Sequence, residues 1–142
     1  MRRSISIAVA ALLFGLHPVV ADDKSLVTWE TLSQVSVTRQ KDRYVPEFSK
    51  QILALDKREV KLKGFMIPLE QGLAQRHFLL SAQPSDCPFC MPGSAEAFAE
   101  VLAKKPMKYV VDPITVSGTF VLVRDDTGGL LYRLTEAVMI EK

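Results

Sequence analysis

The stretch Arg76–Lys105, RHFLLSAQPSDCPFCMPGSAEAFAEVLAKK, decides the fold. His77 to Leu80 is largely apolar and reads as a strand. A Pro-rich turn from Pro84 to Gly93 follows and holds the only two cysteines, Cys87 and Cys90. Beyond it, Ser94 is suited to a helix N-cap, with Glu96 in the first turn and Lys104 and Lys105 in the last. Ala95, Phe98 and Leu102, with Val101 beside them, would form the buried stripe, and Pro106 would stop the helix. A strand, a cysteine turn and a helix fit two architectures. One is a small β-barrel with a single helix, and the other is a thioredoxin-like α/β sheet.

The flanking sequence favours the barrel. Upstream, Glu59 to Lys63 alternates, with Val60 and Leu62 inward and Glu59, Lys61 and Lys63 outward, as in a half-buried antiparallel strand. Alternation fails at Gly64, ahead of Phe65-Met66-Ile67, which predicts a bulge or sharp bend. Pro68 restricts pairing to an edge or a strand end, and Glu70 to Gln75 reads as a loop. Downstream, Ile114 to Val123 is a long β-rich run with Gly118 in its middle. Asp125-Asp126-Thr127-Gly128-Gly129 is a turn signal that folds Leu130 to Leu134 back as a hairpin, and Ala137 to Ile140 adds a last strand.

Nearer the N-terminus the signals are shorter. Leu26, Trp29 and Leu32 recur every three residues, as in a helical turn that sets the Trp on the core. Val35 and Val37 mark a short strand, Arg39 to Arg43 a solvated loop, and Tyr44 to Phe48 an extended run containing Pro46. Ile52, Leu53 and Leu55 resume an apolar pattern, and Asp56-Lys57 is a tight turn. The expectation is a mostly β, OB-like Greek-key barrel of about five strands, with one helix between strands three and four. The thioredoxin-like alternative needs another βα unit, but only Pro106 to Asp112 separates the expected helix from Pro113. It also needs a helix N-terminus beside the thiols, and a helix capped by Ser94 would begin about two turns beyond Cys87.

The first 21 residues read as a secretory signal. Arg2 and Arg3 form a positive n-region, Ile5 to Leu16 an apolar run, and Val19-Val20-Ala21 a small-residue cleavage site before Asp22. The run is shorter than the roughly 20 residues that span a bilayer, and no membrane span is expected after cleavage. The expected organisation is a signal peptide at 1–21 and one small β-barrel domain at 22–142, in the periplasm. The whole 142-residue chain has a formal charge of +2. Residues 1–21 carry Arg2 and Arg3 and no acid, so the remaining 121 residues hold 16 basic and 16 acidic side chains. That neutrality argues against nucleic-acid binding, which needs clustered excess cation.

The stretch Gly64-Phe65-Met66-Ile67-Pro68-Leu69-Glu70, then Phe78-Leu79-Leu80, then the cysteine turn with Pro92, resembles an uncharacterised family of small exported bacterial proteins. Val110-Val111-Asp112-Pro113-Ile114, Ser117-Gly118 and Tyr132-Arg133-Leu134 extend the likeness over most of the chain beyond the signal. The family is a domain of unknown function, so the resemblance implies no activity. Some of the proteins it resembles are encoded beside ABC-type transport genes in metal-responsive clusters. That implies metal homeostasis, with an envelope protein or a metal-transport component as partner.

Cys87 and Cys90 admit three chemistries. In an oxidising compartment they pair as a disulfide, which closes too short a loop to add much stability and is readily reducible. As thiolates they suit Zn or Cu(I), with His77 and Met91 as further candidate ligands and Met66, Asp86 or Glu70 behind them. As a thiol–disulfide exchanger, Cys87 would attack and Cys90 resolve, but Asp86 beside Cys87 raises its pKa. His77 has a plainer reading as a hydrogen-bonded strand residue, and Met66 and Met91 as packing residues. No phosphate loop or nucleophile motif appears. The sequence therefore favours a binding or accessory protein in metal handling or redox-sensitive partner binding. The alternatives are a thiol–disulfide oxidoreductase and a structural module with a local disulfide.

Overall fold

The computed structural model describes residues 26–84, 93–126 and 128–141. The expected signal peptide, Cys87, Cys90, Met91 and Asp86 lie outside the described residues. The fold is mostly β, a closed five-stranded barrel with one extra strand. In chain order the strands are β1 (Leu26–Val27), β2 (Val35–Gln40), β3 (Arg43–Phe48), β4 (Glu59–Pro68), β5 (Ala74–Ser81), β6 (Phe98–Lys108), β7 (Ile114–Leu122) and β8 (Tyr132–Glu141). Two single-turn helices, α1 (Trp29–Leu32) and α2 (Lys50–Leu53), precede the barrel. Around it the order is β4-β5-β6-β8-β7, and β7 pairs back onto β4. Only the β6–β8 pair is parallel within the barrel, which makes the path a Greek key of OB type.

Closure depends on β4 serving two neighbours. Its first half, Glu59 to Gly64, pairs with β7, and its second half, Phe65 to Pro68, pairs with β5. The partner change falls at Gly64, where the sequence predicts a bend. A Cβ there would lie 2.5 Å from the Ser81 carbonyl oxygen and 3.0 Å from Leu80 Cγ, so only glycine lets the strands approach. β1 runs parallel to β4 at Lys61 and Leu62.

The interior is filled by side chains, as a small barrel requires. Val60, Leu62, Phe78, Leu80, Val101, Phe120, Tyr132 and Leu134 are buried there. Leu32 of α1 and Ile52 of α2 are fully buried in the same cluster. Thr28 caps α1 by accepting from the Thr31 amide, and Ser49 caps α2 by accepting from the Ile52 amide. Trp29 packs on the core as expected and donates from Nε1 to the Lys63 carbonyl at 2.7 Å. The Tyr132 hydroxyl donates to the Leu32 carbonyl at 2.6 Å, tying the last strand to α1.

Three expectations are corrected. The helix placed at Ser94–Lys105 is a three-residue 3-10 turn, Ala95–Ala97, followed by β6. Ser94 makes no side-chain capping bond. The segment is apolar on both faces and fits a strand as well as a helix, and the strand wins because β5 and β8 offer it edges on both sides. Ala99 and Val101 point into the barrel, while Phe98, Glu100 and Leu102 lie on the other face. The barrel thus has no helix between its third and fourth strands. The thioredoxin-like alternative fails with it, because the strand order closes and, among the described residues, only a three-residue 3-10 turn stands between Gly93 and β6. Finally, Arg39–Arg43 is not a loop but the tip of the β2–β3 hairpin, in which Gln40 pairs with Arg43 around a two-residue turn.

Candidate functional site

In the chain, the cysteine segment falls between β5 and β6, and Ser81 pairs with Phe98 where the described strands meet on either side of it. Pro84 and Gly93 are the last described residues on either side of it. The outer face of the adjoining strands is apolar at this end. Ile67, Leu79 and Phe98 are buried in a second cluster outside the core, with Leu130 packed against it.

His77 lies four residues before Ser81 on β5, about 13 Å along the strand from the base of the turn. Its Nε2 is 2.7 Å from Glu100 Oε1 on β6. The other Glu100 oxygen accepts from Arg133 Nε on β8. Three adjacent strands thus place a His–Glu–Arg row side by side on the barrel exterior. The half-exposed His77 ring is hydrogen-bonded, which matches its plainer reading. Glu100 is not recognisable as its partner from local pattern, because its segment reads there as a helix. Met66 is buried in the core and also lines a small cavity with Pro84, the last described residue before the cysteine segment.

Glu70 has a local structural role. Its Oε2 accepts from the Arg76 and His77 backbone amides across the β4–β5 turn. Those two hydrogen bonds hold its carboxyl below the ordinary carboxylate range. Gln75, fully buried, closes the same turn by bonding the Glu70 and Gly72 carbonyls. Glu70 is therefore engaged by backbone donors, a different task from metal ligation. Among the described residues no cluster of three or more His, Cys, Asp or Glu stands ready to hold a metal ion.

Beside the stem of the turn is a cleft of about 320 Å3. One wall is the apolar side of the β2–β3 hairpin, Val37, Tyr44 and Pro46. Ala95 and Leu130 also line the cleft, as do the charged side chains of Glu96, Arg124 and Asp126. Val35 and Phe48 continue the hairpin's apolar side and pack against the core. The lining combines an apolar surface with a few polar groups. Sequence reasoning missed it because the hairpin tip is charged and its pairing is not visible in the local pattern.

The only other strongly displaced group among the described residues is Tyr132, whose phenol is pushed well up by burial and, secondarily, by the charge of Glu96. Its hydroxyl is spent on Leu32, which marks it as structural. No described helix is long and apolar enough to cross a membrane.

No protein-family model matches the chain, and no curated protein matches it. Among solved structures, the chain is similar to a DUF3299 family protein from Pseudomonas aeruginosa PAO1, with 26% sequence identity over 68% of each chain and a TM-score of 0.52. That likeness agrees with the resemblance to a domain family without an assigned activity.

Proposed function

We propose that this chain is an exported periplasmic protein that binds rather than catalyses. In this reading residues 1–21 direct export, and Cys87 and Cys90 form its site. The pair handles zinc or copper, or gates the binding of an envelope partner through its redox state. The observation that carries the reading is that the turn runs into β6 instead of a helix. A thiol exchanger lowers the pKa of its attacking cysteine with a helix N-terminus or a nearby cation. Here a three-residue 3-10 turn precedes a strand, so the described chain after the turn supplies no such dipole. The neighbouring cleft gives a partner or ligand an apolar surface within a few residues of the turn.

The test is a native mass spectrum of the protein isolated from the periplasm without reductant or chelator. A zinc or copper adduct lost in Cys87→Ser/Cys90→Ser supports metal handling. A mass two hydrogens below the reduced chain supports a disulfide, whose reduction should then change partner capture. Turnover of insulin disulfides by the wild-type protein, lost in the double variant, would replace this reading with an oxidoreductase.

A further inference from the structure

The second half of β8 has a free edge, and its surroundings say what fits there. From Tyr132 to Ala137, β8 lies between β7 and β6. The β6 ladder ends at Ala103↔Ala137, while the β7 ladder continues to Glu141. Among the described residues, Val138–Glu141 is therefore bonded to a strand on one side only.

A built irregularity makes this edge. Between the pairs Thr119↔Thr135 and Ser117↔Val138, β8 uses one residue more than β7, which is a bulge. Glu136 sits in it at φ 51°, a left-handed conformation that a non-glycine residue adopts at a cost. Gly118 faces it from β7, where a Cβ would lie 2.9 Å from the Thr135 carbonyl oxygen and 3.2 Å from Ala137 Cα. β6 turns away at the same level. Five residue steps on β6, Leu102 to Met107, answer two on β5, His77 to Gln75, and Pro106 lies within that excursion.

The result is a groove of about 380 Å3 between the two strands. Its lining is apolar at Met107, Val110, Ala137 and Met139. Val138 and Ile140 remain 41% and 47% exposed on the free strand. The β6 wall is cationic. Lys105 and Lys108 line the groove and make no ion pair among the described residues. Lys104 approaches only Glu136, at 3.8 Å with both side chains mostly exposed, a contact worth little.

We propose that this edge receives an extended segment of another protein that carries acidic side chains. The segment adds as a strand along Val138–Glu141, its apolar side chains entering the groove and its carboxylates meeting Lys105 and Lys108. A second copy of this chain is a poorer occupant, because pairing the same edges would bring two sets of lysines together. The proposal is independent of the cysteine reading.

The experiment uses the whole chain beyond the signal and two capped heptapeptides, one alternating Glu and Val and the other Lys and Val. The expected result is that the Glu peptide shifts the backbone amides of Val138–Glu141, weakens with added salt, and loses about tenfold in affinity with Lys105→Glu/Lys108→Glu. The Lys peptide should gain with that charge reversal. Equal binding of both peptides, no binding of either, or shifts elsewhere on the barrel overturns the proposal. So does a dimer in sedimentation that Val138→Lys dissolves, because the edge then serves a second copy. Cys87→Ser/Cys90→Ser should bind the Glu peptide like the parent, which separates failure here from failure of the cysteine site.

Discussion

Gly64 and Tyr132 show how single positions hold this barrel. At 64, an added methyl group meets a backbone carbonyl that cannot move without disturbing the β4–β5 pairing. Gly64→Ala should cost about 1–3 kcal/mol in urea unfolding, the range for overpacking a tight site. An unchanged midpoint would show that β4 is not clamped against β5 there. Tyr132→Phe should cost about 1–3 kcal/mol, because it leaves the buried Leu32 carbonyl without its donor. The same residue makes a pH prediction. Burial raises its folded-state pKa above the ordinary 10.0, so the folded protein holds the phenol proton that the unfolded chain loses near pH 10. That stabilisation is complete below pH 10 and is lost as the pH rises further. Wild-type stability should therefore fall more steeply than that of Tyr132→Phe above pH 10, by up to about 1.4 kcal/mol per pH unit. Parallel curves would mean that the phenol is not protected in the folded state.

At the scale of elements, β6 shows where local pattern stops deciding structure. Ser94→Ala distinguishes the two patterns that the segment satisfies. A helix N-cap would lose about 1 kcal/mol, whereas Ser94 makes no capping bond and the substitution should stay within about 0.5 kcal/mol. Thermal melts of Ser94→Ala beside Thr28→Ala, which removes a cap that does form, provide the comparison. Other strands were legible because one pattern dominated. Val60 and Leu62 alternate with charged neighbours, and Gly64 and Gly118 interrupt runs that are otherwise strongly β. Phe98 to Ala103 is different, since apolar residues fall on both faces and the flanking charges imitate helix ends. Only the edges of β5 and β8, distant in sequence, choose between the readings. The cysteines themselves lie outside the described residues. The turn between Pro84 and Gly93 stood out by composition, but its neighbours came from pairings that no local window contains. Glu100 meets His77 across β5 and β6, and Tyr44 and Leu130, far apart in sequence, line one cleft.

For the whole molecule, the pairings divide the chain into a closed unit and an appendage. The barrel closes through β4 and β7, and the Tyr132–Leu32 bond joins α1 to the last strand. Removing any barrel strand breaks two ladders, so the barrel should unfold in one cooperative step. The β2–β3 hairpin belongs to a separate two-stranded sheet. Val35 and Phe48 anchor it at the core, but Ser36 to Tyr44 is mostly exposed and pairs only within the hairpin. A two-stranded hairpin is marginal alone in water. Its amides should therefore exchange by local opening at lower free energy than the amides of β4, β5 and β7. Native-state hydrogen exchange in low urea tests this. Protection in the hairpin should be small and nearly insensitive to urea, while protection in the barrel should fall steeply toward the global value. Val37, Tyr44 and Pro46 form one cleft wall, so such opening would also open the site. If hairpin and barrel amides share one urea-dependent isotherm, the hairpin is part of the cooperative unit and the cleft is as rigid as the barrel.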